Sequence, residues 1–368
     1  MNREKNTGKN IRVAITHGDF NGIGYEIIIK ALSDKRLTEL FTPIVYGSSK
    51  IASYYKKMFN SDIHFNLVRK AELANPRRIN IVNTTPPEIL IEVGTISPVA
   101  GEMAFKALEK AIDDINWGHA DVLVTAPINK KSIQSEQFRY KGHTDYLAAK
   151  FGVEDYLMLM VSGSLRIGMV TGHIPVKDIA GALTRELIMS KLRVLWQSLQ
   201  RDFGIVKPKI AVLGLNPHAG DQGLIGNEEE MSIIPAIKQA VDEGMYVFGP
   251  YPADGFFATP DYREFDAVLA MYHDQGMLPF KVLGFESGVN FTAGLPIVRT
   301  SPAHGTAFNI AGKNQASPDS FRQAIYLALD IFRNRTEYDE VHANPLLPAE
   351  ETNDRNGRAA GQAANQPE

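Results

Sequence analysis

Three histidines in this chain share one local setting. His173 in MVTGHIP, His218 in LGLNPHAG and His273 in AMYHDQG each close an apolar run and have Gly or Pro close by. One histidine at a strand end is ordinarily a hydrogen-bonded loop residue. Three in the same context, among only nine in the chain, point to a shared metal site. Imidazoles around open coordination positions suit Zn²⁺, Co²⁺, Ni²⁺ or Mn²⁺, and such a metal polarises a substrate oxygen. The chain has no cysteine, which excludes disulfides, thiolate nucleophiles and sulfur-ligated metals and leaves nitrogen and oxygen donors. Asp274 and Asp254 are candidates to orient a ligating imidazole or to assist proton transfer.

Downstream of His273, the residues Lys281, Asn290 and Arg299 interrupt apolar or glycine-rich stretches (PFKVLGF, GVNFTAG, PIVRTS). An arginine and a lysine converging on one cleft suit a phosphate, the arginine through its planar fork and the lysine as a point charge. Ordinary surface ion pairing is the plainer alternative, and low local charge density weakens it. His143, Thr144 and Asp145 fall in the first turn of a helix, with Thr144 placed as its N-cap. Gly18, Gly22 and Gly24 follow the first strand and open a helix. They either wrap a ligand phosphate at the helix N-terminus or satisfy a tight turn; their spacing is not GxGxxG.

These residues need strands to carry them. Apolar β-branched runs at IRVAI, TPIVYGS, ADVLVTA, IAVLGL and AVLAMY alternate with periodic helices such as VAGEMAFKALEKAIDDINWG and SFRQAIYLALDIFRN, which predicts an α/β fold with a largely parallel sheet. Residues 62–94 suggest short edge strands, and LMLMVSGSLRIGMV a hairpin around Gly163. In GNEEEMSIIPAIKQAVDEG, Asn227 reads as a cap, the acids as dipole partners and Gly244 as the stop. At 368 residues with 44% hydrophobic content the chain exceeds what one core holds, roughly 250–300 residues, so two lobes with a cleft between them are expected. A formal charge of −3 with scattered Lys and Arg argues against nucleic acid. The polar start and the lack of any run near ~18 apolar residues predict a cytoplasmic protein without a membrane span.

Taken together and in order, ITHGDFNGIGYEI, TAPINKKSI, YKGHTDYLA, GHIPVKDIAGALT, GLNPHAGDQGLIGNEE, PADGFF, AMYHDQG, GVNFTAGLPIVRTSPAHGTAFNIAG and SFRQAI resemble the 4-hydroxythreonine-4-phosphate dehydrogenases, the PdxA family of vitamin B6 biosynthesis. The resemblance runs from Ile11 to Asn334. It implies a two-domain α/β/α fold like that of isocitrate and isopropylmalate dehydrogenases, with the active-site cleft between domains. The expected division is a flexible segment 1–10, a first domain of 11–130 plus 300–343, a second of 131–299, and a disordered tail 344–368. It also implies NAD(P)-dependent oxidation of 4-phosphohydroxy-L-threonine to 2-amino-3-oxo-4-phosphooxybutanoate, which decarboxylates to 3-amino-2-oxopropyl phosphate.

Carried over position by position, the metal ligands are His173, His218 and His273, holding one divalent ion (zinc, cobalt, magnesium or manganese). The substrate contacts are His143, Thr144, Lys281, Asn290 and Arg299. NAD or NADP is expected against Asn216, Gly294, Leu295, His304, Gly305 and Thr306. Lys281, Asp274 and Asp254 are the candidates for proton transfer, beside a bound water. The family further implies a homodimer whose active site lies at the subunit interface, with His273 supplied by the partner. The chain departs from the family pattern at His17, Phe20 and Gly172, which leaves room for a related substrate. A paralogous dehydrogenase of 4-phospho-D-threonate or 4-phospho-D-erythronate is the nearest alternative, and a metal-dependent phosphatase or phosphate-binding protein without NAD the alternative from another class.

Overall fold

In the computed structural model, residues 10–34, 36–86 and 88–344 are described. The flexible segment and disordered tail expected at the two ends lie almost wholly outside those residues. The first part of the chain runs β1 (Ile11–Thr16), α1 (Gly24–Leu32), α2 (Leu37–Leu40), β2 (Phe41–Gly47), α3 (Ser49–Met58), β3 (Phe65–Val68), β4 (Ile79–Asn83), α4 (Pro98–Asn116) and β5 (Val122–Thr125). Then follow α5 (His143–Lys150), the hairpin β6 (Leu157–Ser162) and β7 (Leu165–Met169), α6 (Ile179–Ala182), α7 (Arg185–Arg201), β8 (Lys209–Leu213), α8 (Ile234–Asp242) and β9 (Tyr246–Tyr251). The described residues close with α9 (Ala253–Ala258), β10 (Ala267–Ala270), α10 (His273–Gly284), β11 (Val289–Ala293), β12 (Val298–Pro302) and α11 (Asp319–Val341).

All the strands join one sheet of order β3-β4-β2-β1-β5-β12-β11-β6-β7-β10-β8-β9. Pairing is parallel except where β11 meets β12 and β6, and within the β6–β7 hairpin. The central parallel strands are continuous apolar runs because helices cover both their faces. The short strands read from residues 62–94 form the sheet edge as a parallel pair.

The two faces of this sheet are built differently. Val13, Ile15, Val45, Phe291, Val298, Leu159, Val212 and Leu269 belong to one buried cluster that crosses the full width, together with residues of α1, α7, α8 and α11. Side chains alternate along a strand, so their neighbours point the other way. Those neighbours form two separate clusters: Ala14, Ile44, Tyr46 and Leu123 with α4 and α5, and Met160, Ile167, Met169, Leu213 and Val268 with Phe280 of α10. Between the two, the middle strands β12 and β11 carry polar residues, Arg299, Ser301 and Asn290. A cleft over the middle of the sheet follows directly from that interruption in apolar packing.

His17 and Phe20, two of the departures from the family pattern, are buried completely at the end of β1 and are absent from the cleft wall. His17 stacks on Tyr25 at 5.5 Å between ring centroids, and burial pushes its imidazole down from 6.5 to about 4. Between those values the unfolded chain binds a proton that the folded chain refuses, so stability is complete above pH 6.5 and lost as pH falls toward 4. The full effect is about 3 kcal/mol for this one ring. Urea midpoints measured across that range should fall, and the fall should shrink by this share in His17→Leu.

No helix among the described residues is long and apolar enough to cross a membrane.

Candidate active site

The cleft holds a cavity of about 750 Å³. Six cations line it, Lys130, Arg139, Lys141, Lys191, Lys281 and Arg299, against a single carboxylate, Asp145. In a chain of net charge −3 this is a local reversal of sign, and it selects an anionic ligand.

Arg299 sits at the floor, 3% exposed. Its Nη2 donates to Thr125 Oγ1 at 2.7 Å and lies 3.2 Å from His143 Nδ1, and its Nη1 donates weakly to Thr292 Oγ1 at 3.5 Å. Nε has no hydrogen-bond partner, and no carboxylate among the described residues pairs with this guanidinium. Burial pushes it down to about 9, so it remains charged at neutral pH. A buried charge without a counter-ion is costly unless a ligand supplies one. His143 is held neutral, well below its ordinary value, first by burial and then by Arg299. A neutral ring accepting at Nδ1 keeps its proton at Nε2.

His143 begins α5, as expected, but Thr144 is not its cap. Gly142 precedes the helix without a side-chain cap, and the Thr144 hydroxyl instead lies 3.3 Å from that of Thr292 on β11. The tertiary partner across the cleft outbids the local one. Asn290 and Lys281 also line the cavity, with Asn290 Oδ1 buried and unpartnered and the Lys281 ammonium 5.6 Å from the centre of the Phe285 ring.

The histidines separate into a pair and a singleton. β7 and β10 are parallel neighbours, so the segments leaving them bring His173 and His273 together with ring centroids 5.5 Å apart. Both residues of this pair belong to one chain. His273 opens α10, three residues after β10 ends. Its Nδ1 lies 2.7 Å from Asp274 Oδ1, a contact of the orienting kind expected of Asp274. His173 is lowered by burial, then by Lys130, whose ammonium is 3.3 Å from its Nε2. That lowering favours a neutral His173 ring competent to ligate.

His218 is exposed and absent from the cavity wall, and among the described residues no three His, Asp or Glu side chains gather as a metal site. It lies in a left-handed turn in which His218, Ala219, Gly220, Asp221, Gln222 and Gly223 all have positive φ. Left-handed backbone is costly for residues with a Cβ, so something must hold it. Glu229, 2% exposed, accepts from Leu215 N, Asn216 N and Asn216 Nδ2, and Glu228 also accepts from Asn216. These acids therefore clamp the loop rather than simply balancing a helix dipole, and Asn227 is not the helix cap. Gln275 ties the loop to the end of β10, accepting from Met271 N and donating to Gly214 O.

The proposed cofactor positions scatter. His304 and Gly305 line the cavity, with His304 Nε2 buried and unpartnered. The Thr306 carbonyl accepts from Ile23 N and blocks any side chain at Gly22. Gly294 packs against Asp155 O and Leu295 is buried in the core, so both are explained by packing, and Asn216 belongs to the clamp just described. Gly18, at φ 67, has Pro127 O where a Cβ would stand, so close backbone approach accounts for it. Asp254 is exposed in α9 and outside the wall. Gly172 does line the cavity, with open space beside it.

The model of the family described as "Pyridoxal phosphate biosynthetic protein PdxA" matches residues 39–328. The chain belongs to the PdxA family. Its relatives include the 4-hydroxythreonine-4-phosphate dehydrogenase of Bacteroides thetaiotaomicron, 52% identical over 337 residues, covering 91% of this chain and 93% of that one. A putative D-threonate 4-phosphate dehydrogenase of Oceanobacillus iheyensis is 42% identical over 323 residues, covering 87% and 97%. Among solved structures, 4-hydroxythreonine-4-phosphate dehydrogenase from Klebsiella pneumoniae superposes with a TM-score of 0.77 at 35% identity, over 88% of this chain and all of that one. PdxA membership thus covers both halves of the sheet and the cleft between them. Sequence reasoning gave Thr125, Thr292, Lys130, Arg139, Lys141 and Lys191 no role in the site; Thr125 alone carried a plain signal, as the polar residue that ends the apolar run of β5.

Proposed function

We propose that this chain is an NAD(P)-dependent, divalent-metal-dependent dehydrogenase that oxidises 4-phosphohydroxy-L-threonine in pyridoxal phosphate synthesis. The observation that carries the reading is Arg299, a buried guanidinium with neutral partners only, on the floor of a cationic cavity in a PdxA-family chain. The most similar relative named above, at 52% identity, carries that activity in its name, against 42% for the threonate enzyme.

Arg299 takes an anionic group of the substrate, with His143 Nε2–H, Thr144, Asn290 and Lys281 as the other contacts. His173 and His273, facing imidazoles with one ring contacted by Asp274, are two donors that would hold a divalent ion, and His218, on the exposed loop held by Glu229, is the third ligand that the family resemblance implies. The unpartnered His304 Nε2 fits a further polar ligand, as the nicotinamide cofactor would be. When bound, the metal polarises the C3 hydroxyl and the nicotinamide accepts the hydride. The hydroxyl proton needs a base, for which Lys281 in its neutral amine form or a bound water beside it is the candidate on the wall, and Asp274 keeps the His273 proton on Nδ1.

In the same reading residues 11–130 with 300–343 and residues 131–299 form the two lobes, and the protein works as a cytoplasmic homodimer. The test is nicotinamide absorbance with NAD or NADP, a divalent metal and either 4-phosphohydroxy-L-threonine or 4-phospho-D-threonate, repeated with chelator. Chelator-sensitive reduction with the amino acid is expected, and His218→Ala should abolish it while leaving the fold intact. Reduction with the threonate alone would move the substrate, and phosphate release without reduction would overturn the dehydrogenase.

A further inference from the structure

Buried arginines are usually held by carboxylates, which fix the guanidinium and cancel its charge. Arg299 is held by hydroxyls instead. β12 pairs in parallel with β5, with Arg299 opposite Leu123, so Thr125, two residues further along β5, shares the face of Arg299 and reaches its Nη2 at 2.7 Å. From the other side, β11 contributes Thr292, whose Oγ1 meets both Arg299 Nη1 and Thr144 Oγ1. Both threonines are completely buried, and neither is among the residues expected to touch substrate. A hydroxyl fixes the direction of an N–H donor without neutralising it, so the full positive charge stays available to an incoming anion.

We propose that Thr125 and Thr292 are the positioning residues of the anion site, replacing a carboxylate so that the Arg299 fork is both immobilised and uncompensated. The proposal deepens the reading of the cleft as a phosphorylated-substrate site and rests on it. Thr292 carries a second consequence, because it links Arg299 to the start of α5. Loss of its hydroxyl frees the guanidinium and Thr144 together.

The experiment titrates inorganic phosphate calorimetrically into the wild-type protein and into Thr125→Val, Thr125→Ser, Thr125→Asp and Thr292→Val, with a thermal melt for each. Thr125→Val should weaken phosphate about tenfold while Thr125→Ser restores it, and Thr125→Asp, which supplies the missing counter-charge, should weaken it at least a hundredfold without lowering the melting temperature. In turnover, the Thr125→Val loss should appear in KM rather than kcat. Wild-type affinity in Thr125→Val or Thr125→Asp, or a defect that Thr125→Ser fails to rescue, overturns the proposal. Should Thr125→Asp fail to fold, Thr125→Val, Thr125→Ser and Thr292→Val decide the matter by themselves. A wild-type protein that binds phosphate with this variant pattern but reduces no nicotinamide would sink the dehydrogenase reading and leave the positioning role standing.

Discussion

Replacing Arg299 by Met should reduce kcat/KM by two to three orders of magnitude. The side chain is the floor of the cavity, and a substrate phosphate or carboxylate brought there is desolvated against it. Charge-assisted contacts of this kind are worth about 3–4 kcal/mol when one partner is truncated, because the other charge is left buried and unpaired. Arg299→Lys should recover little of the loss, since an ammonium cannot span Thr125 and Thr292 while also presenting a fork to the anion. Removing an unpaired buried charge relieves the free protein, so Arg299→Met should melt no lower than wild type. Steady-state kinetics with a thermal melt checks both halves: an inactive and destabilised variant would mean that Arg299 is structural, and an active one that the anion binds elsewhere.

The second large effect is on stability and lies far from the cleft. Arg335 of α11 is 7% exposed and meets Asp202, at the end of α7, at 2.5 Å, while its Nη1 donates to Leu295 O. Asp202 is also held by Ser198. This buried pair fastens α11 to α7 beneath the core cluster that crosses the whole sheet. Asp202→Ala strands the guanidinium in that interior, at a cost of about 3–5 kcal/mol. The melting temperature should drop by on the order of 10 °C. A double variant, Asp202→Leu with Arg335→Met, removes both charges and should recover most of the loss. A single variant as stable as wild type would show that water reaches the pair.

Much of this molecule was legible in one dimension. Strands such as β1, β5 and β10 are apolar runs because both their faces are covered, and the long helices show their periodicity, so the α/β alternation followed from local pattern alone. The order of the motif blocks identified the family, and with it His143, Asn290 and Arg299 as residues of one cleft. The His273 contact with Asp274 joins sequence neighbours and was visible for that reason.

What the chain order could not show is which polar residues meet. Thr125 and Thr292 lie 174 and 7 residues from Arg299, and they are chosen by strand register, which no local spacing encodes. The capping expectation for Thr144 failed because β11 offers a partner across the cleft. Glu229 looked like a dipole partner because it begins a helix; only the return of the Leu215–Asn216 backbone to its carboxylate made it a clamp. Likewise the divided face of the sheet, two apolar clusters with a polar strip between, arises from side-chain alternation summed over strands from opposite ends of the chain. Local pattern determined the elements and the family; register and layer packing decided where the charge was left uncancelled, because electrostatics in an interior depends on distance in space and not on distance along the chain.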